Sequence, residues 1–189
     1  MADKLKTTAH QILGPFYPLI KPSKVGDLTR ADGQPGQAQG QLLYLSGRVL
    51  DQSGNPVQRA KLDIWQANSF GRYTHPNDTN PAPLDPNFEG FAVVETDDDG
   101  CYSLKTVKPG SYPGGAGTIR PSHIHFEIFG KRERLVTQLY FVGDPHHAED
   151  RWLQSARKQD TIVMPIQERL DGMEADAKRV DFDIVLMNG

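Results

Sequence analysis

The strongest chemical signal in the sequence is a pair of histidines one residue apart, in Arg120-Pro-Ser-His-Ile-His-Phe-Glu-Ile128. Read as a β-strand, the stretch puts His123, His125 and Glu127 on one side and Ile124, Phe126 and Ile128 on the other. The apolar side can face a core, so both imidazoles face away from it together. Side chains two apart on a strand lie roughly 7 Å apart at the backbone, close enough for both rings to converge on one metal ion. His-x-His serves several metals and several folds, so further ligands must come from elsewhere. Two tyrosines stand in unusual company, Tyr73 in a long loop over residues 67–87 and Tyr112 in a second loop, 108–119, that runs straight into the histidine strand. Long loops in a compact domain tend to carry function, because a rigid sheet positions them. Each tyrosine alone reads as a packing residue with its hydroxyl at the surface.

The elements that must position these residues are strands. From Leu42 the pattern alternates through LLYLSGRVLD, turns at Asp51-Gln-Ser-Gly54-Asn-Pro56, and resumes in Ala60-Lys-Leu-Asp-Ile-Trp65-Gln66, predicting two strands joined by a loop. A second such pair is Phe91-Ala-Val-Val-Glu-Thr and Cys101-Tyr-Ser-Leu-Lys-Thr-Val107, joined at Asp97-Asp-Asp-Gly100. Asp97 and Asp99 invite a calcium reading, but the spacing and bidentate Glu of an EF-hand loop are missing, so a tight turn is expected. Further strands are expected over 122–129, 135–142 and 180–186, the last with Val180, Phe182, Ile184 and Leu186 alternating. Residues 149–170 read as a mixed segment with one or two short helices. Short strands between turns, with almost no helical periodicity, predict an all-β, two-sheet sandwich with long active-site loops over residues 41–189. Residues 1–40 read as an extended N-terminal arm. Leu13, Phe16, Tyr17, Leu19 and Ile20 make it too apolar for a floppy tail, so it is expected to dock on the domain or on a neighbouring subunit.

Composition excludes several classes. A chain of 189 residues suits one globular domain, and a net charge of −3 without any Lys/Arg block gives no electrostatic case for nucleic acid or an anionic membrane. Cys101 is the only cysteine, which rules out an intrachain disulfide and any multi-cysteine metal site. No apolar run suits a signal peptide or a membrane span, so the expectation is a soluble, cytoplasmic protein.

The order Tyr73, Tyr112, His123, His125, with Trp65-Gln-Ala-Asn before it, Gly71-Arg-Tyr73, Ala82-Pro-Leu-Asp-Pro-Asn-Phe88, Thr137-Gln138-Leu-Tyr-Phe141, Gly143-Asp-Pro145 and Phe182-Asp-Ile-Val185, resembles the intradiol ring-cleavage dioxygenases. The likeness runs from about Ser46 to Leu186 and is greatest to the protocatechuate-cleaving branch. By that resemblance Tyr73, Tyr112, His123 and His125 bind a non-haem Fe(III), while Arg120 and Gln138 line the substrate site. Gly14-Pro15-Phe16 resembles a substrate-pocket segment that the same branch supplies from a second chain. The partners implied are a small aromatic diol and O2, and a homo-oligomer is expected. The sequence departs from the branch at Gly114-Gly115, where a tryptophan follows the second tyrosine; a pocket wall is removed or rebuilt there.

The implied chemistry explains the residue types. A phenol with a pKa near ~10 is a tyrosinate at neutral pH only beside a strong, hard Lewis acid such as Fe(III). Two phenolates and a hydroxide cancel the three charges of that ion, which suits a low-dielectric site. A catecholate dianion replacing the hydroxide and one tyrosinate keeps the sum unchanged, and both leaving groups can accept a substrate proton. By resemblance the departing tyrosine is Tyr112, and O2 then opens the ring between the hydroxylated carbons to a cis,cis-muconate type dicarboxylic acid. Arg120 could stabilise negative charge building on the ring. One alternative is a cupin-like metal oxygenase using His123, His125 and Glu127, which leaves both tyrosine loops unexplained. The other is a non-catalytic sandwich subunit, which predicts an incomplete ligand set. His75, His146 and His147 are read as solvated loop residues, and Glu127 as either a partner of the ligands or exposed.

Overall fold

The computed structural model describes residues 4–21, 26–115 and 117–189. Two five-stranded sheets face each other. One is built on β1 (Leu42–Asp51), flanked on one side by antiparallel β4 (Cys101–Val107) and on the other by parallel β11 (Lys178–Asp181) and then β12 (Ile184–Leu186); β10 (Gln167–Glu168) extends it beyond β11. The other runs in the order β3 (Phe91–Glu95), β2 (Lys61–Trp65), β7 (His123–Phe129), β8 (Arg134–Phe141), β9 (Val163–Met164). A separate ribbon of β5 (Tyr112–Gly115) and β6 (Thr118–Arg120) precedes β7, and one short α-helix, α1 (Arg151–Ser155), lies in the mixed segment between 3-10 turns at His147–Glu149 and Gln159–Thr161.

Alternation decides the layers. Leu43 and Leu45 on β1, Leu104 on β4, and Val180, Phe182, Ile184 and Leu186 meet Leu62, Ile64, Ile124, Phe126, Ile128, Leu135 and Leu139 in one core, and all are buried. Fully burying a side chain of this kind is worth about 1.5–3 kcal/mol, so the inward faces hold the sandwich together. A Phe126→Ala cavity would cost about 3–5 kcal/mol. The outward face of β2, β7 and β8 is left for other work.

The expected pairs of joined strands do not pair. β1 bonds to β4, β11 and β12, whereas β2 bonds to β3 and β7, so both turns carry the chain from one sheet across to the other. The turn chemistry itself is as read: Asp51 accepts the backbone N–H groups of Ser53 and Asn55, and Asp97 those of Asp99 and Cys101. These carboxylates are spent on tight turns, in place of a calcium loop. The strand expected over 180–186 is interrupted at Phe182, whose N–H bonds to Ser46 O and whose carbonyl accepts the Tyr102 hydroxyl at 2.6 Å. Its alternation survives because all four apolar side chains still face the core.

The arm docks on its own domain. Thr8 N–H bonds to Val185 O, Gln11 N–H to Val136 O, and the Thr137 hydroxyl donates to Ala9 O at 2.7 Å. Further on, the Tyr17 hydroxyl donates to the buried Asp63 carboxylate at 2.8 Å, and Lys21 ion-pairs with the same group. Leu13, Phe16 and Tyr17 pack on Trp65, Tyr73 and Tyr112. Leu19 and Ile20 do not dock as expected; they are 77% and 86% exposed, past the Tyr17 latch. The arm thus roofs the outward face of the second sheet.

Candidate metal and substrate site

The site lies between that outward face and the arm. Three neighbouring strands bring Trp65, His125 and Gln138 into one row, since Trp65 pairs with His125 and His125 with Gln138; one step along, His123 pairs with Tyr140. Trp65 stacks on the His125 ring with centroids 4.8 Å apart and planes 11° apart, which fixes the imidazole's orientation. Gly14 lies so close to the same ring that a Cβ there would sit 3.1 Å from His125 Cε1, and its φ of +78° is one that glycine adopts without strain.

The two imidazoles converge, with Nε2 of His123 and Nε2 of His125 3.2 Å apart. His123 Nδ1 lies 2.7 Å from Pro121 O, so its proton belongs there and the Nε2 lone pair faces the cluster. The Tyr112 hydroxyl is 3.3 Å from the same Nε2. The Tyr73 ring meets that of Tyr112 edge-on at 5.5 Å and that of His125 at 6.1 Å. Tyr73 Oη is buried and has no hydrogen-bond partner among the described residues. An orphaned phenol beside two facing imidazole nitrogens is a poor arrangement for neutral groups and a good one for ligands around a cation.

The electrostatics agree. Burial, then the positive charge of Arg120, pushes His123 down to about 3, and burial with the neighbouring His123 holds His125 well below the ordinary imidazole value. Both rings are therefore neutral lone-pair donors. Burial also raises both phenols, Tyr73 well above its ordinary value, and the Arg120 charge opposes the rise at each. Neither would ionise at neutral pH without a cation among them. The four side chains fit a hard trivalent ion: two phenols that become counter-charges and two neutral nitrogens.

The remaining expected residues fall around this cluster unevenly. Arg120 is buried; its Nη2 donates to Gln138 Oε1 at 2.8 Å, and Gln138 Nε2 donates to Ile12 O of the arm. Phe16 packs on Tyr73 with centroids 4.6 Å apart, whereas Pro15 is exposed. Glu127, read as either a partner of the ligands or exposed, is buried, and its carboxylate is taken by Arg134. Among the described residues no three His, Cys, Asp or Glu side chains converge, which removes the arrangement the cupin-like alternative needs. His75 and His147 are half-buried in ring contacts, His75 near Phe16 and His147 near Tyr140.

Three residues were missed. Tyr140, on the outward face two positions after Gln138, donates its hydroxyl to Gln138 Oε1 at 2.7 Å, and alternation could have found it. Asp78 accepts the Tyr73 N–H at 2.7 Å. Asp150 ion-pairs with Arg120 at 2.6 Å across the fold, a contact with no local signal.

A family profile described as Dioxygenase matches residues 12–188. The chain is 43% identical over 165 residues to the protocatechuate 3,4-dioxygenase beta chain of Burkholderia cepacia, covering 85% of this chain and 70% of that one. It is 32% identical over 204 residues to the catechol 1,2-dioxygenase of Candida albicans, covering 98% of this chain but only 64% of that one, so it spans a little under two thirds of the fungal enzyme. Among solved structures, the dioxygenase domain of a dioxygenase carbohydrate-binding protein fusion from Streptomyces sp. SirexAA-E matches with a TM-score of 0.74 and 26% identity, over 97% of this chain and 100% of that one. Matched along residues 12–188 by that profile and over 85% of its length by a relative at 43% identity, the chain belongs to the intradiol ring-cleaving dioxygenase family.

Proposed function

We propose that this chain is a non-haem Fe(III) intradiol dioxygenase that cleaves a catechol-type ring between its two hydroxylated carbons with O2, giving a cis,cis-muconate type dicarboxylic acid. The observation that carries the reading is the convergence of Tyr73, Tyr112, His123 and His125, with facing nitrogens 3.2 Å apart and an orphaned phenol. A non-catalytic subunit would have no use for that set.

These four residues would hold the iron, which when bound supplies a Lewis acid that draws electron density from a chelated ring. His123 and His125, kept neutral by burial, contribute no charge, so the two phenolates set the balance of the site. Tyr112 is the ligand suited to yield to substrate, and as a phenolate its Oη accepts a catechol O–H proton. Arg120 stays cationic in its buried place; burial opposes the charge, but the surrounding Tyr112, Tyr140 and Asp150 raise its pKa above the ordinary value. It stabilises negative charge developing on the ring. Gly14 and Phe16 of the arm pack against His125 and Tyr73, where they would shield a bound substrate from water. The relatives' names include protocatechuate and catechol, and an ortho-dihydroxy aromatic is the class assigned here.

Purified protein is expected to hold one iron per chain, to be reddish from tyrosinate-to-iron charge transfer, and to consume O2 with catechols while forming an ultraviolet-absorbing muconate. Well-folded, colourless and iron-free protein after growth with ample iron would sink the proposal. Leu19 and Ile20, adjacent and exposed on the docked arm, are apolar surface that a neighbouring copy would cover in a homo-oligomer, which light scattering tests.

A further inference from the structure

Arg120 is held on two sides. Nε donates to Asp150 Oδ2 at 2.6 Å, while Nη2 donates to Gln138 Oε1 at 2.8 Å and Tyr140 Oη at 3.1 Å. Among the described residues no hydrogen bond uses Nη1. Asp150 is as firmly placed as its partner: its side chain is 0% exposed, and Oδ1 accepts the Leu153 N–H at 2.7 Å, capping α1. One carboxylate oxygen is therefore tied to backbone and the other to Nε. The stem is walled as well, since a Cβ on Gly114 would lie 3.0 Å from Arg120 Cγ and 3.2 Å from Cδ. A free arginine samples many rotamers and loses turnover-productive geometry in most of them; a planar fork clamped at Nε and Nη2 does not.

We propose that Asp150 is a positioning residue for the ring-cleavage reaction, acting through Arg120: it fixes the guanidinium beside the ligand cluster so that the Nη1 donors face the substrate. The inference rests on the proposed role of Arg120 toward substrate. Asp150 itself engages Arg120 and the α1 backbone, and Tyr140 completes the clamp through Nη2. A buried carboxylate at the start of a five-residue helix would otherwise serve only as its cap.

Asp150→Ser separates these two roles, because serine caps a helix about as well as aspartate but cannot reach Nε. The holoenzyme variant is expected to keep its iron and colour, to lose on the order of 10-fold in kcat with little change in KM, and to show no further loss when introduced into Arg120→Ala. Its crystal structure should show Arg120 displaced from Gln138. Asp150→Thr, which likewise can cap the helix but is too short to reach Nε, should behave alike and serves if the serine variant does not fold. Unchanged kcat, an equal loss in both backgrounds, or Arg120 unmoved in the crystal would overturn the proposal. If the wild-type protein opens no catechol, the functional reading fails, and the position of Arg120 in the two crystals still decides whether Asp150 fixes it.

Discussion

Tyr73 and Tyr112 reach the same cluster from loops of opposite construction. The Tyr73 loop has no regular structure, yet its side chains stitch it to itself: Asp78 accepts the Tyr73 N–H, Asn80 Nδ2 donates to Gly71 O, Arg72 Nη1 donates to Ala82 O, and Asn68 Oδ1 accepts the N–H groups of Phe70 and Arg72. Tyr112 sits instead on a four-residue strand in a two-stranded ribbon, followed by the exposed Pro113, Gly114 and Gly115 and a register shift between Pro113 and Gly115. Proline removes one ladder bond there, and glycine adds backbone freedom. Burial makes both phenols costly to ionise, Tyr73 more so, and the Arg120 charge eases that cost at both. Under the proposed function that difference is a division of labour: Tyr73, braced by its own loop, would anchor the metal, and Tyr112, on the looser ribbon, would leave and return.

The comparison is broken most directly by removing each hydroxyl. Tyr73→Phe is expected to abolish iron, colour and turnover together. Tyr112→Phe should keep iron with a weakened, shifted band while turnover falls by about 10²-fold or more, the usual size for losing a proton acceptor. Metal analysis and visible spectra decide it, and an iron-free Tyr112→Phe would make the two loops equivalent. Next in size, Arg120→Ala should leave iron and fold intact but lower kcat by about 10²–10³-fold, as removal of one preorganised stabiliser does. Unchanged turnover at saturating catechol would mark the cation as structural.

Two glycines sharpen the contrast in stability. Gly71 has φ +82°, and a Cβ there would lie 2.3 Å from Ser111 O, so the two loops interlock at this point. Gly71→Ala should cost about 1–3 kcal/mol in denaturant unfolding and loosen both tyrosines. Gly115, with φ +84° and open space around it, should cost only about 1–2 kcal/mol as alanine and leave the iron spectrum alone. Equal spectral damage in both would refute the interlock. Smallest of all, Tyr17→Phe removes one arm latch and should cost about 0.5–1.5 kcal/mol, with a rise in KM for catechols that truncation at residue 20 would enlarge. Unchanged KM in the truncated chain would show that the roof is no part of the pocket.

Much of this was legible beforehand because strand alternation is local. His123 and His125 facing one way, and Ile124, Phe126 and Ile128 the other, follow from a period of two whatever the rest of the chain does. The strands β1, β2, β3, β4, β7 and β8 were likewise readable to within a residue or so, since apolar alternation and turn carboxylates mark both body and ends. Which strand bonds to which was not. A turn such as residues 97–100 has the same composition whether it closes a hairpin or arches between sheets, and only the need of both inward faces to share one core selects the arch.

The sequence by itself determined the chemical inventory: two phenols, two imidazoles on one strand face, an arginine three residues before them, and no second cysteine to offer another kind of site. Tertiary structure alone decided the rest. It set the 3.2 Å convergence of nitrogens, the stack of Trp65 on His125, the Gly14 backbone against the same ring, and the clamp of Asp150 on Arg120 thirty residues earlier. Such contacts join positions far apart in the chain, so no local period encodes them. Each exists because burying the inward faces of two sheets leaves one outward face to be roofed, and the side chains under that roof must satisfy one another or a metal.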